Sequence, residues 1–239
     1  MLKQISLILL LTFELLAQSG TIVNPRKAAV INPPTGGGGG VTPLVTLDFE
    51  EGDGSDLTYV GANTTFHGDA AYSGSYGMRI TASSSDVNYY TFASGLDSVY
   101  ATFYIYVPST TTFSGEAYGY STWVYTTNTT TTRSIFGGHI TDVGGGTFKW
   151  STWMMGSSDG TFADNATGFS QDAWHKIKIY YKKGATSVHK IWVDGEEALN
   201  ATAAHDEVAN GFSVCIYQPT ATGYIYWDDF KVYDRDPDL

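Results

Sequence analysis

YIYWDDFKVYD, from Tyr224 to Asp234, sets two adjacent carboxylates in a run of alternating aromatic and aliphatic residues. Such alternation marks a strand of a packed sheet. A carboxylate near a core persists there only when it is paired, hydrogen-bonded or bound to a metal, because losing its hydration is costly. Alternation groups Asp228 with Tyr226, Phe230 and Val232, and Asp229 with Trp227 and Lys231, so Asp228 is expected to be the buried one. The alternative for both is a turn cap or an ion pair with Arg79, Lys231 or Arg235. Two other stretches are dense in flat rings. EAYGYSTWVY offers Tyr118, Tyr120, Trp123 and Tyr125, and FKWSTWMM offers Trp150 and Trp153. Exposed rings of this kind stack on the C–H faces of sugars while amides and carboxylates hold the hydroxyls. Trp150 and Trp153 fall on opposite faces of a regular strand, so at most one of them lines a groove, and Tyr120, Trp123 and Trp153 are taken as the groove candidates. Trp174 and Trp192 are assigned to the core of a later hairpin. RSIFGGHITD carries a cation, Arg133, and a base, His139, six residues apart, which share a face if the glycine pair leaves the strand regular.

These residues must be positioned by a body that begins well inside the chain. MLKQISLILLLTFELLAQSG has Lys3, an apolar run from Ile5 to Leu16 and small residues at Ala17 and Ser19. It predicts an export signal over 1–19, too short for a membrane span, so the mature chain is expected to be secreted or surface-displayed with no transmembrane segment. Residues 20–43 hold prolines at 25, 33, 34 and 43 and five glycines from Gly36 to Gly40, the composition of a flexible tether. No Lys, Ser or Thr follows that glycine run at the spacing of a phosphate-cradling loop. The formal charge of −11 offers no basic stripe for phosphates and excludes a nucleic-acid partner. One cysteine, Cys215, excludes an internal disulfide.

Residues 44–239 show short alternating runs between turn clusters and no sustained helical spacing, and over the whole chain charged and aromatic residues stand at 15% each. Strands are expected near 45–50, 57–60, 65–67, 77–82, 88–93, 98–107, 120–126, 134–140, 147–154, 174–182, 188–194, 212–217 and 224–233. This predicts an all-β domain, two antiparallel sheets packed face to face. In VYATFYIYV, Val99, Ala101, Phe103, Ile105 and Val107 take one side, and Tyr100, Tyr104 and Tyr106 the other, as in a central strand with both faces in use. WHKIKIYYKKG and KIWVDGEE, joined by a short turn, form a hairpin whose second strand ends at the turn dipeptide Asp194-Gly195.

AWHKIKIYYKKGATSVHKIWVDGEEA, with TLDFEEGD, AAYSGSYGMRI and the closing YIYWDDFKVYD, resembles the concanavalin A-like lectin/glucanase superfamily, the laminin G-like jelly rolls, and related jelly-roll carbohydrate-binding modules. The resemblance implies adjacent first and last strands. Glu50, Asp53 and Asp228, with carbonyls near Gly52, would then hold a structural calcium. The same fold carries enzymes. A retaining glycosidase of this class draws Glu, Asp and Glu from one strand at alternating positions, and no such strand occurs here. A polysaccharide lyase needs a base and a group that neutralises the uronate. His139 and Arg133 with Tyr180 or Tyr125 would supply them, although the arginine-led and Gln-His strand motifs of alginate lyases are missing. The expected function is therefore a non-catalytic module binding poly- or oligosaccharide. A polysaccharide lyase or glycoside hydrolase of the same fold is the enzymatic alternative, the lyase being the more plausible of the two, and a structural or adhesion domain with protein partners in a cell surface or virion is the third.

Overall fold

The computed structural model describes residues 41–81, 86–113, 120–127, 132–144, 147–155, 160–216 and 221–238, and for 113–169, 203–205, 215, 216 and 221 the backbone alone. The expected export signal and all but the last three residues of the tether lie outside the described residues. No helix among the described residues is long and apolar enough to cross a membrane.

The chain forms two antiparallel sheets and a small two-stranded ribbon. The larger sheet is ordered β13 (Glu196–His205), β12 (Gly184–Val193), β11 (Trp174–Lys182), β5 (Ser98–Tyr106), β16 (Tyr224–Tyr233), β3 (Gly77–Thr81) and β2 (Thr64–His67), and β1 (Val45–Leu47) adds to β16 as its eighth strand. The second sheet runs β10 (Gly160–Ser170), β9 (Thr147–Met155), β8 (Thr132–Gly144), β7 (Tyr120–Thr127), β14 (Ala209–Ile216) and β4 (Asp86–Leu96). β6 (Thr112–Phe113) pairs with β15 (Ala221–Thr222). The all-β sandwich expected from the alternating runs is the fold observed.

Alternation decides what each strand buries. Val99, Ala101, Phe103 and Ile105 of β5 are all buried, while Tyr100, Tyr104 and Tyr106 alternate with them on the outward face. On β11 and β12 the same parity buries Ile177, Ile179, Tyr181, Ile191 and Val193. Trp174 and Trp192, expected in the hairpin core, stand instead on the outward face and are half-buried, since they alternate with those residues. Trp192 there lies beneath the Lys178 ammonium, 4.4 Å from its ring centroid. The Asp194-Gly195 turn joins β12 to β13 with φ of 51° and 87°, the left-handed pair that a two-residue hairpin requires.

The core runs between the sheets through stacked rings. Phe230 of the larger sheet lies 4.8 Å from Phe103 and 5.1 Å from Phe212 of the smaller one, nearly parallel to both, with Phe49 at 6.4 Å. Simple alternation would have put Phe230 with Asp228. A bulge intervenes: the pairing of β16 with β5 shifts between Asp228 and Lys231, and Asp229 takes φ 53°. The extra residue lets Asp228 share the outward side with Tyr104, its cross-strand partner, while Trp227, Phe230 and Val232 are all buried among the core residues.

Candidate functional site

The two carboxylates of YWDDF lie where β16 changes neighbour. Its first half pairs with β3 through Tyr224–Trp227, and its second half with β1 through Phe230–Val232. At the gap the turn before β3 supplies the missing hydrogen bonds. Asp228 is 1% exposed, and its Oδ2 accepts the amides of Tyr72 at 2.7 Å and Ser73 at 3.1 Å, while Oδ1 accepts that of Asp229 at 2.7 Å. Asp229 pairs with Lys231 at 2.7 Å. The expectation that Asp228 is the buried partner holds, and backbone N–H groups satisfy it.

The same turn grips a second acid. Glu50 accepts from Ser75 N at 2.8 and 2.9 Å and from Tyr76 N at 3.2 Å. Between the two pairs of amides stands Gly74, at φ 69°, where a Cβ would lie 2.2 Å from a Glu50 oxygen. Only glycine fits, and its left-handed backbone turns the amides before and after it toward different acids. Two of the three expected calcium ligands, Glu50 and Asp228, thus come to one loop. The third, Asp53, accepts from Ser55 N at 2.8 Å. One other group of acids gathers among the described residues: Asp48, Glu51 and Asp56 bring oxygens within 4.8 Å of one another. A calcium shell spans ligands at about 2.3–2.6 Å from the ion, so oxygens at this separation fit a hard cation.

Burial pushes the Asp228 carboxyl up from 3.8 to about 6, against the pull of its three N–H donors. The folded state thus holds this proton more tightly than the unfolded chain. The stability so conferred is complete below about 3.8 and is lost as the pH rises through about 6. It amounts to about 3 kcal/mol, at about 1.4 kcal/mol per tenfold change in proton affinity. In chelator, a carbon-detected titration of the Asp228 carboxyl is expected to give a midpoint near 6; a midpoint at or below the ordinary aspartate range would contradict this account of its burial.

On the smaller sheet, register alone aligns the aromatic candidates. Tyr89, Ser213, Trp123, Gly137, Trp153 and Phe162 are successive cross-strand partners, one from each of the six strands. In the strands whose side chains are described, Tyr90, Phe212 and Val214 are buried toward the core, so the row of Tyr89 and Ser213 runs along the outward face. Tyr89 stacks there on Tyr59 at 5.3 Å. Tyr120 stands outside this row, opposite Ile216. His139 is opposite Ser121 and Ser151, and Arg133 is opposite Thr126, with a register shift between Val124 and Tyr125 that interrupts the six-residue spacing. Tyr180 is not brought to either. It belongs to β11 of the other sheet, where it stacks on Tyr100 at 4.2 Å. The side chains of Tyr120, Trp123, Trp153, Arg133 and His139 lie outside the described residues.

Strand order and register form a two-sheet antiparallel β-sandwich, and the solved structures similar to it have jelly-roll, concanavalin A-like folds and include carbohydrate lyases and a lectin domain. Among solved structures the chain is similar to the endo-β-1,4-glucuronan lyase of the fungus Trichoderma reesei, with TM-score 0.61 and 14% identity over 83% of this chain and 100% of that one. It is also similar to a carbohydrate esterase of the Shiga toxin-encoding bacteriophage phi24B, with TM-score 0.58 and 16% identity over 81% and 98%. A third is the carbohydrate recognition domain of Emp47p, with TM-score 0.52 and 10% identity over 81% and 96%. No family model and no curated protein matches the chain.

Proposed function

We propose that this protein is an exported, surface-displayed or secreted module that binds poly- or oligosaccharide without altering it. The observation that carries the reading is the cross-strand row Tyr89–Ser213–Trp123–Gly137–Trp153–Phe162, with aromatic residues at four of its six positions and small ones between. Neighbouring strands are about 4.8 Å apart, so Trp123 and Trp153 flank Gly137 at a separation of about 10 Å, room for a sugar ring over the glycine. The solved lyase, esterase and recognition domain of the same fold support a saccharide ligand. Alanine at Trp123 and at Trp153 is expected to weaken glycan binding about tenfold each, the loss of one stacked ring. Calorimetric titration showing unchanged affinity in both variants would remove this site.

A calcium ion at the opening loop belongs to the same proposal, held by Asp48, Glu51 and Asp56. Bound there, it would tie the loop that follows β1 without entering the binding chemistry. Calcium is expected to raise the melting temperature of chelated protein by several degrees, and Glu51→Gln to abolish the rise. An identical melt with and without the ion would eliminate the metal, and a loss of the rise in Glu50→Gln alone would move it to Glu50 and Asp228.

A further inference from the structure

The outward face of the eight-stranded sheet is aromatic where a water-facing antiparallel sheet is ordinarily polar. Trp174 of β11, Tyr106 of β5, Tyr226 of β16 and Arg79 of β3 are successive cross-strand partners in a single row. The Trp174 and Tyr106 centroids are 5.4 Å apart, and Tyr106 and Tyr226 are parallel within 6° at 5.7 Å. Both ends of the row continue. Tyr72 meets Trp174 edge-on at 5.6 Å, and the Arg79 guanidinium lies 4.6 Å over Tyr224. Tyr72 and Tyr224 are 42% and 38% exposed, and among the described residues only Tyr76 joins them as an exposed large hydrophobic.

We infer that this strip, from Tyr72 across Trp174, Tyr106 and Tyr226 to Arg79 and Tyr224, is a second carbohydrate-binding surface that takes a neutral glycan laid across the strands. The ligand class rests on the reading above; the location does not. Three strand spacings of about 4.8 Å carry the row over about 14 Å, the reach of a short oligosaccharide. Hydroxyl-binding groups stand beside the rings. Asp172, exposed and held at φ 58°, accepts from the Tyr106 hydroxyl at 3.2 Å, and Arg79 donates through Nε to Thr65 at 3.1 Å.

Charge selects a neutral chain. Most lysines of this face already have carboxylates: Lys176 and Lys178 pair with Asp238, Lys178 also with Asp236, Lys231 with Asp229 and Lys190 with Glu197, while Lys182, at the far end of β11 from Trp174, has none among the described residues. Arg79, the one cation in the row itself, makes no ion pair among the described residues, and it and the distant Lys182 on a chain of net charge −11 are a poor host for a polyanion. Cross-strand pairing accounts for the contact of Tyr106 with Tyr226, whereas Tyr72, stacked on Tyr104 at 3.5 Å, and Tyr224, beneath Arg79, each keep part of their ring exposed at the two ends. Because the outward faces of the two sheets point away from each other, one domain would hold two glycan chains and link them.

The test is a titration of the full chain with soluble cello-, manno- and xylo-oligosaccharides, followed by the indole N–H resonances and assigned with single Trp→Phe variants. Oligogalacturonate serves as the acidic control. The inference expects the Trp174 signal to shift with one of the neutral sugars and not with the acidic one. Tyr106→Thr with Tyr226→Thr, and separately Tyr224→Thr at an exposed position, should weaken that response about tenfold while the Trp123 and Trp153 signals titrate as before. Trp174 unmoved while Trp123 and Trp153 shift would overturn the second surface and leave the first. The reverse pattern would keep the second surface and remove the first. A Trp174 shift greater with oligogalacturonate would contradict the neutral class, and no shift with any sugar would overturn both sites.

Discussion

Phe230→Ala is expected to destabilise the domain by about 3–5 kcal/mol, the cost of removing a large aromatic from a closely packed core. Phe230 is 1% exposed and is the ring through which the sheets meet, between Phe103 and Phe212, with Phe49 against its edge. Sheets that meet through stacked rings collapse poorly around a void, since strands tied into ladders cannot close the gap. Phe230→Leu refills part of the space and should recover a substantial share. Urea denaturation monitored by far-ultraviolet circular dichroism measures both. A loss below about 1.5 kcal/mol for the alanine variant would mean that the bulge does not direct this ring into the core as described.

Asp228→Ala is expected to cost about 2–4 kcal/mol, because it strips the acceptor from three backbone amides, those of Tyr72, Ser73 and Asp229. Part of the loss is softened because Tyr72 and Ser73 are exposed and water can reach the freed donors. Asp228→Asn should rescue little. Oδ1 and Oδ2 both accept N–H, so an amide would press its own NH2 against donors on one side. Both variants should release the turn from β16 and speed hydrogen exchange at Tyr72 and Ser73, and they should disturb the stack of Tyr72 on Tyr104, whose centroids are 3.5 Å apart. Unchanged exchange with a loss under about 1 kcal/mol would show that β3 and β16 hold the turn unaided.

Much of the fold was legible because central strands carry their alternation openly. VYATFYIYV and WHKIKIYYK lie side by side in the middle of the larger sheet, and the division of VYATFYIYV into an aliphatic face and a tyrosine face is the one observed. Of the strands not expected, β10 in GTFADNATGFS and β13 in EEALNATAAH end their sheets, and β6 and β15 form the small ribbon, while 57–60, expected as a strand, makes only an isolated bridge from Tyr59 to Tyr89. An edge strand has one neighbour and a weaker demand for apolar side chains, so its small and polar residues read as loop. The error at Trp174 and Trp192 has another source. A large ring on an outward face looks like core until the partner strands are known. The bulge at Asp229 defeated the parity argument for Phe230, since one extra residue reverses every later side chain on that edge, and an Asp-Asp pair gives no warning of it. At the candidate site, pairing could not be foreseen from short motifs. Nothing in EAYGYSTWVY or FKWSTWMM says that Trp123 and Trp153 share a row with Gly137, because register arises from the whole sheet.

The central claim is that the domain binds glycan without cleaving it, and affinity electrophoresis of the full chain through gels cast with neutral and acidic polysaccharides, with calcium present, tests it most directly. The account predicts retardation in at least one neutral polysaccharide gel and an intact, uniformly stained polymer after prolonged incubation. Clearing of the polymer along the protein's track would contradict it, make the protein an enzyme and set His139 as the first residue to replace; free migration through every gel would contradict it in favour of a structural, protein-contacting role.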